Sequence, residues 1–277
     1  MPIARLQPRS GVDRMKSRLI DVAGRHQVRV YEGGSGPELL FLHGAGGLLA
    51  NDPFVARLEQ RYRVSVPLLP GFEDSESTSS ASQLRTMLDF TLFGFDVWEA
   101  LGLDDPIVVG HSMGGMIAAE MAALSNTVVK RLALIGSAGL WIDEHPIPDL
   151  FAKLPFELPE LLFHEPAKFS ALLSAGGDFN DPEFLTTFLV DNARRMSTAG
   201  KILFPIPDRG LSERLYRIRA RTQVIWGASD RLIPPVYGER LAAGIRGATL
   251  TTIPNAGHMV PYEQTDAVLA GIAKLHN

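Results

Sequence analysis

The chain has 277 residues, 45% hydrophobic and 21% charged, with 27 lysines and arginines against 31 aspartates and glutamates. That is enough for one large core carrying a modest insertion, and its net charge of −4 excludes the globally basic surface of a nucleic-acid-binding protein. With no cysteine it can form no disulfide, use no thiolate nucleophile and build no cysteine-ligated zinc site. No apolar stretch approaches the roughly 20 residues that span a bilayer. The arginines of the first 18 residues (Arg5, Arg9, Arg14 and Arg18) surround no apolar signal-peptide core, so this segment reads as a solvated arm and the protein as cytoplasmic.

Two short strands, around Arg18–Val22 and Val28–Tyr31, flank Ala23-Gly24-Arg25 and read as a hairpin at a sheet edge. After Gly33-Gly34-Ser35-Gly36-Pro37 comes the apolar run Glu38–Leu42, a strand buried on both faces that ends at His43-Gly44. A helix over Pro53–Tyr62, a strand over Arg63–Pro67 and a helix over Gln83–Leu101, closed by Gly102, follow. The strand Pro106–Gly110 runs through His111-Ser112-Met113-Gly114-Gly115 into a helix over Met116–Leu124, and a strand over Val128–Ile135 comes next.

From Leu140 to Arg219 the alternation stops and the composition turns rich in Pro, Phe and Leu, with helical spacing at Leu158–Phe163 and Pro182–Arg195. The βα rhythm resumes with a strand at Thr222–Trp226, a helix near Pro235–Ala243, a strand at Thr249–Ile253 and a closing helix from Thr265. The pattern predicts an α/β fold with a mostly parallel eight-stranded sheet flanked by helices. Its core is expected from residues 1–139 and 220–277, with a helical cap of residues 140–219 inserted after the sixth strand.

Gly110-His111-Ser112-Met113-Gly114 places a serine on a sharp strand-to-helix turn. Gly110 and Gly114 leave room there for strand and helix to approach closely, and the helix N-terminus behind Ser112 offers free N–H groups where an oxyanion develops. A serine alcohol needs a base, and the base needs a partner that fixes its tautomer. Both appear downstream at predicted strand ends: Asp230 in Trp226-Gly227-Ala228-Ser229-Asp230 and His258 in Asn255-Ala256-Gly257-His258. Ser112 is the expected nucleophile, His258 the base and Asp230 the acid, with Asp143 as the substitute acid if Asp230 only caps a helix. His43 and His111 read as structural, and His26, His145, His164 and His276 have no constellation around them.

Four stretches in this order resemble the α/β-hydrolases of the cap-bearing esterase and C–C hydrolase branch. They are Leu42-His43-Gly44-Ala45-Gly46-Gly47, Gly110–Gly115, Trp226–Pro234 and Gly257–Gln264. The resemblance spans Arg18 to the C-terminus and implies a catalytic triad, an oxyanion hole from the N–H groups of Ala45 and Met113 on loops shaped by Gly44 and Gly46, and a cap over the pocket. One departure is Gly71-Phe72-Glu73-Asp74-Ser75, where many relatives have Gly-x-Gly-x-Ser; its acidic pair is expected at the pocket rim.

The aromatic residues between Trp141 and Phe204 suggest an apolar acyl or aromatic pocket. Trp141, Phe184 and Phe188, with Met259, are placed at it. The expected reaction is hydrolysis of a carboxylic ester of a small, largely apolar molecule through an acyl-enzyme, with no cofactor and no metal, in a monomer or homodimer. The rivals are C–C hydrolysis of a β-diketone or ring-cleavage product, a non-catalytic small-molecule binder, and a lyase or perhydrolase on the same site. His111 before the nucleophile favours esters; Arg194 and Arg195 keep C–C hydrolysis open.

Overall fold

The eight strands follow the apolar runs in a computed structural model that describes residues 16–49, 51–72, 83–173 and 177–276. β1 (Lys16–Val22) and β2 (His26–Gly33) pair antiparallel. Ala23 and Gly24 between them both take left-handed φ, 56° and 64°, a turn whose twist matches that of the strands. β2 pairs antiparallel with β4 (Arg63–Pro67). Every further pairing is parallel and adds β3 (Glu38–Leu42), β5 (Ile107–His111), β6 (Arg131–Ile135), β7 (Arg221–Gly227) and β8 (Thr249–Ile253). Across the sheet the order is β1-β2-β4-β3-β5-β6-β7-β8.

Successive side chains of a strand face opposite sides, so the central strands feed two cores. Leu39, Phe41, Ile107 and Val109 pack with residues of α1 (Pro53–Leu58), α8 (Val260–Glu263) and α9 (Thr265–Ala273). Leu40, Leu42, Val108 and Leu134 pack with α2 (Met87–Leu101), α3 (Met113–Leu124) and α7 (Val236–Gly244) on the other side. The chain leaves β3 for β4 on one side and reaches β5 on the other. The loops from the C-terminal ends of β3 and β5 therefore diverge and open a crevice, which is where ligands bind in sheets of this kind.

Between β6 and β7 the described residues contain no strand but α4 (Leu158–Leu162), α5 (Pro166–Phe169) and α6 (Pro182–Leu203), with 3₁₀ turns. This connection is tied down at both ends. Ile142 N–H donates to the Tyr237 hydroxyl at 3.0 Å, and the hydroxyl donates to the His145 carbonyl at 2.8 Å. At the return, the Arg214 guanidinium grips the buried Glu120 of α3 through two N–H donors at 3.0 and 2.5 Å.

β3, β4 and β8 begin and end where the apolar pattern places them. α2 starts at Met87 rather than Gln83 because Thr86 and Asp89 form a reciprocal cap, and Gly102 closes it in the left-handed region. α3 starts at Met113, directly behind Ser112, rather than at Met116. β6 starts at Arg131 rather than Val128, and α6 runs on to Leu203 rather than Arg195. Among the described residues no helix is long and apolar enough to cross a membrane. The expected N-terminal arm up to Met15 and the acidic pair Glu73-Asp74 lie outside the described residues.

Candidate active site

Ser112 stands at the end of β5 as the N-cap of α3 with φ 54° and ψ −117°. This is a strained conformation for a residue with a Cβ, and it persists because the surroundings over-determine it. A Cβ at Gly110 would lie 2.4 Å from the Gly114 carbonyl oxygen, and one at Gly114 would lie 2.0 Å from that of Leu42. The two glycines thus let α3, β5 and β3 meet, as the motif requires.

The three residues expected to act together do meet. Ser112 Oγ lies 2.9 Å from His258 Nε2, and His258 Nδ1 lies 2.8 Å from Asp230 Oδ2. The other Asp230 oxygen accepts the N–H groups of Leu232 and Ile233 at 3.0 and 2.8 Å. Asp230 therefore caps a turn and orients a histidine at once. Ser112, Asp230 and His258 are 8%, 4% and 2% exposed, so water does little to weaken these bonds. Asp143 is exposed and accepts from the Trp141 indole at 2.8 Å, so Asp230 is the carboxylate on His258.

The loop after β3 turns on itself through Gly47 N–H to the Gly44 carbonyl at 3.0 Å. A Cβ at Gly44 would lie 3.3 Å from Ser112 Cβ and from His111 Nδ1, which puts Gly44, the residue before Ala45, beside Ser112. Met113 opens α3, where an N–H has no intrahelical acceptor. Gly46 offers its carbonyl to Arg195 Nη1 at 3.3 Å, and Gly47 packs against the Arg195 side chain. The α6 cation therefore lies over this loop.

His43 and His111 are framework residues. His43 Nδ1–H donates to the Gly44 carbonyl at 2.8 Å, while its Nε2 accepts from Leu69 N–H at 3.2 Å; these partners fix one neutral tautomer. His111 Nε2–H donates to the backbone carbonyl of His258 at 3.0 Å. Burial above all pushes His43 down to about 4 and His111 to about 3, the neighbouring His258 adding to the second shift. Both stay neutral when folded at pH values where the unfolded chain protonates them, starting near their ordinary 6.5.

Stability should accordingly fall as pH drops below 6.5, by up to about 1.4 kcal/mol per pH unit for each group until its folded value is passed. Urea unfolding from pH 7.5 to 4.5 checks this, and His111→Asn should flatten the slope. A midpoint that does not fall in the wild type would contradict it.

A cavity of about 170 Å³ opens on Ser112. Its walls are Ala138, Trp141, Ile147, Pro148, Leu150, Phe151, Leu203, Pro205, Pro207, Leu232 and Ile233, with Asp149 the one charged lining residue among the described residues. Of the residues placed at the pocket from sequence, Trp141 is there. Phe184 and Phe188 are not among its lining residues: with Phe179 they form a ring cluster at 5.0–6.0 Å on α6 and the segment before it. Met259 is not among them either; it packs against the larger core and donates its N–H to the Leu162 carbonyl at 2.9 Å.

The walls come instead from Ile147–Phe151 and Leu203–Pro207. Pro146-Ile147-Pro148 and Pro205-Ile206-Pro207 were the available signal, since two prolines so close together interrupt a helix interior. His164, without a visible constellation in sequence, lies with Nδ1 2.8 Å from Ser229 Oγ, next to Asp230.

A model of the alpha/beta hydrolase family matches residues 39–271, and the chain belongs to that family. It is a hydrolytic enzyme of the α/β-hydrolase fold. The chain is 30% identical over 265 residues to a 2-hydroxy-6-oxo-6-phenylhexa-2,4-dienoate hydrolase of Burkholderia cepacia, covering 87% of this chain and 88% of that one. It is 29% identical to Lipase 1 of Psychrobacter immobilis, covering 84% and 74%. Among solved structures, the enol-lactonase of Burkholderia xenovorans LB400 superposes with a TM-score of 0.73 at 19% identity, covering 93% and 99% of the two chains; at that identity the likeness is one of fold.

Proposed function

We propose that the protein hydrolyses carboxylic esters of small, largely apolar molecules through an acyl-enzyme on Ser112. The observation that carries this is the Ser112–His258–Asp230 relay opening directly onto an apolar cavity. His258 takes the Ser112 proton as Oγ attacks the carbonyl, and Asp230 holds the imidazole with Nε2 free to accept it. The N–H groups of Ala45 and Met113 receive the oxyanion, a pair of donors worth roughly 3 kcal/mol each to the transition state in sites of this type. His258 then returns the proton to the leaving alcohol, and water repeats the cycle to release the acid. Residues 140–219 act as a cap whose apolar wall selects the substrate.

A second reading, C–C hydrolysis of a dienoic keto acid, uses the same relay and is favoured by one observation. The Arg195 guanidinium lies at the Gly46 carbonyl, where it offers a cation to a substrate carboxylate, and the dienoate hydrolase among the relatives supports it. Esters are preferred because the described residues that line the cavity include no basic side chain and do include Asp149. Labelling with a fluorophosphonate, followed by kcat/KM for p-nitrophenyl esters of increasing acyl length against a dienoic keto acid, tests the choice. Labelling with higher kcat/KM on esters is expected. Higher kcat/KM on the keto acid moves the function to C–C cleavage, and absence of labelling removes both.

A further inference from the structure

Asp230 and His258 sit on loops after different strands, β7 and β8, and both loops grip one turn of the insertion, residues 160–165. From the acid loop, Arg231 Nη1 donates to the Glu160 carbonyl at 2.9 Å, and Ser229 Oγ meets His164 Nδ1 at 2.8 Å. From the base loop, Met259 N–H donates to the Leu162 carbonyl at 2.9 Å. The Glu263 carboxylate joins the two sides: one oxygen accepts Gly257 N–H at 2.6 Å, and the other accepts the N–H groups of His164 and Glu165 at 2.8 and 3.2 Å.

Gly257, immediately before His258, is pressed between this turn and the end of β7. A Cβ on it would lie 2.7 Å from the Leu162 carbonyl oxygen, and a Cβ on Gly227 would lie 2.2 Å from the Gly257 oxygen. The two loops also share a backbone bond on the sheet side, Ser229 N–H to the Ala256 carbonyl at 2.8 Å. The turn completes the clamp from the insertion side.

We propose that residues 160–165 form a strut that sets the distance between His258 and Asp230, with Glu263 and Ser229 as positioning residues for the reaction. The proposal rests on the reading of Ser112, His258 and Asp230 as the reacting relay. Glu263 suits the task because three N–H donors converge on it and an ionised carboxylate accepts on both oxygens. A glutamine there turns an NH₂ toward an N–H and can keep only one side of the bridge. The insertion then shapes the substrate cavity with one part and the alignment of the base with another.

The test starts from fluorophosphonate labelling of the wild type, which stands or falls with the relay itself. Glu263→Gln should then lower kcat by about 10- to 100-fold, since misplacement on the order of 1 Å has effects of that size. KM should stay close to wild type. The downfield proton resonance of His258 Nδ1–H against Asp230 should broaden or move, which a purely structural role for Glu263 would not produce in a variant whose unfolding midpoint is retained. Ser229→Ala should shift the same resonance and reduce kcat less; if Glu263→Gln does not accumulate folded, Ser229→Ala decides alone. An unchanged kcat and resonance, or a rise in KM alone, overturns the strut while a labelled wild type leaves the relay standing. A wild type that is not labelled overturns both.

Discussion

Ser112→Ala is expected to reduce kcat for ester hydrolysis by a factor on the order of 10⁶, the size seen when a triad nucleophile is removed. The side chain is buried and bonded to His258 Nε2 at 2.9 Å, and Met113 and Gly114, which follow it, bring no hydroxyl to replace it. Alanine carries the same Cβ into the φ 54° position, so the backbone strain is unchanged and the fold should survive. Steady-state kinetics with an activated ester, alongside thermal unfolding, checks both halves. Because the relay acts as a unit, adding Asp230→Asn to Ser112→Ala should cost little more. A double variant far slower than the single one would mean that Asp230 serves a reaction path without Ser112.

Asp230→Asn alone should lower kcat by about 10⁴-fold. The direction follows from the bonding of the two carboxylate oxygens. Oδ1 accepts two backbone N–H groups, from Leu232 and Ile233, so an asparagine must keep its carbonyl there and turn its NH₂ toward His258 Nδ1. That nitrogen must then accept, which moves the imidazole proton to Nε2, pointing at Ser112 Oγ, and the base is lost. The bonds to Leu232 and Ile233 remain, so the unfolding midpoint should barely move. A kcat within tenfold of wild type would place the orienting acid elsewhere.

Much of this site was legible in the sequence because its constraints are local. Gly110 and Gly114 are demanded by contacts of 2.4 and 2.0 Å within a few residues of Ser112 and at the adjacent strand end. Asp230 and His258 stand after apolar runs that could only be strands, and β3, β4 and β8 were bounded by Pro, Gly and charged residues at their ends. What could not be read depends on which face of the insertion meets the core. Phe184 and Phe188 have helical spacing suited to a pocket, yet they close on Phe179; only tertiary packing decides between those uses. His164 and Glu263 are 99 residues apart in sequence, and no periodicity links them. The α8 turn, four residues long, lies below the length at which helical spacing can be seen.

α3 is buried from Met113 through Ala123, packed against sheet and neighbours, with Glu120 held by Arg214. A helix enclosed in this way has almost no freedom to vary, since each added or lost methylene there is felt through a close-packed interior. Divergence toward bulkier or smaller substrates, natural or engineered, is therefore channelled away from the helix beneath the serine. It falls to Ile147–Phe151 and Leu203–Pro207, where side chains meet open volume on one side, and a library aimed at altered substrate preference should be confined to those two segments.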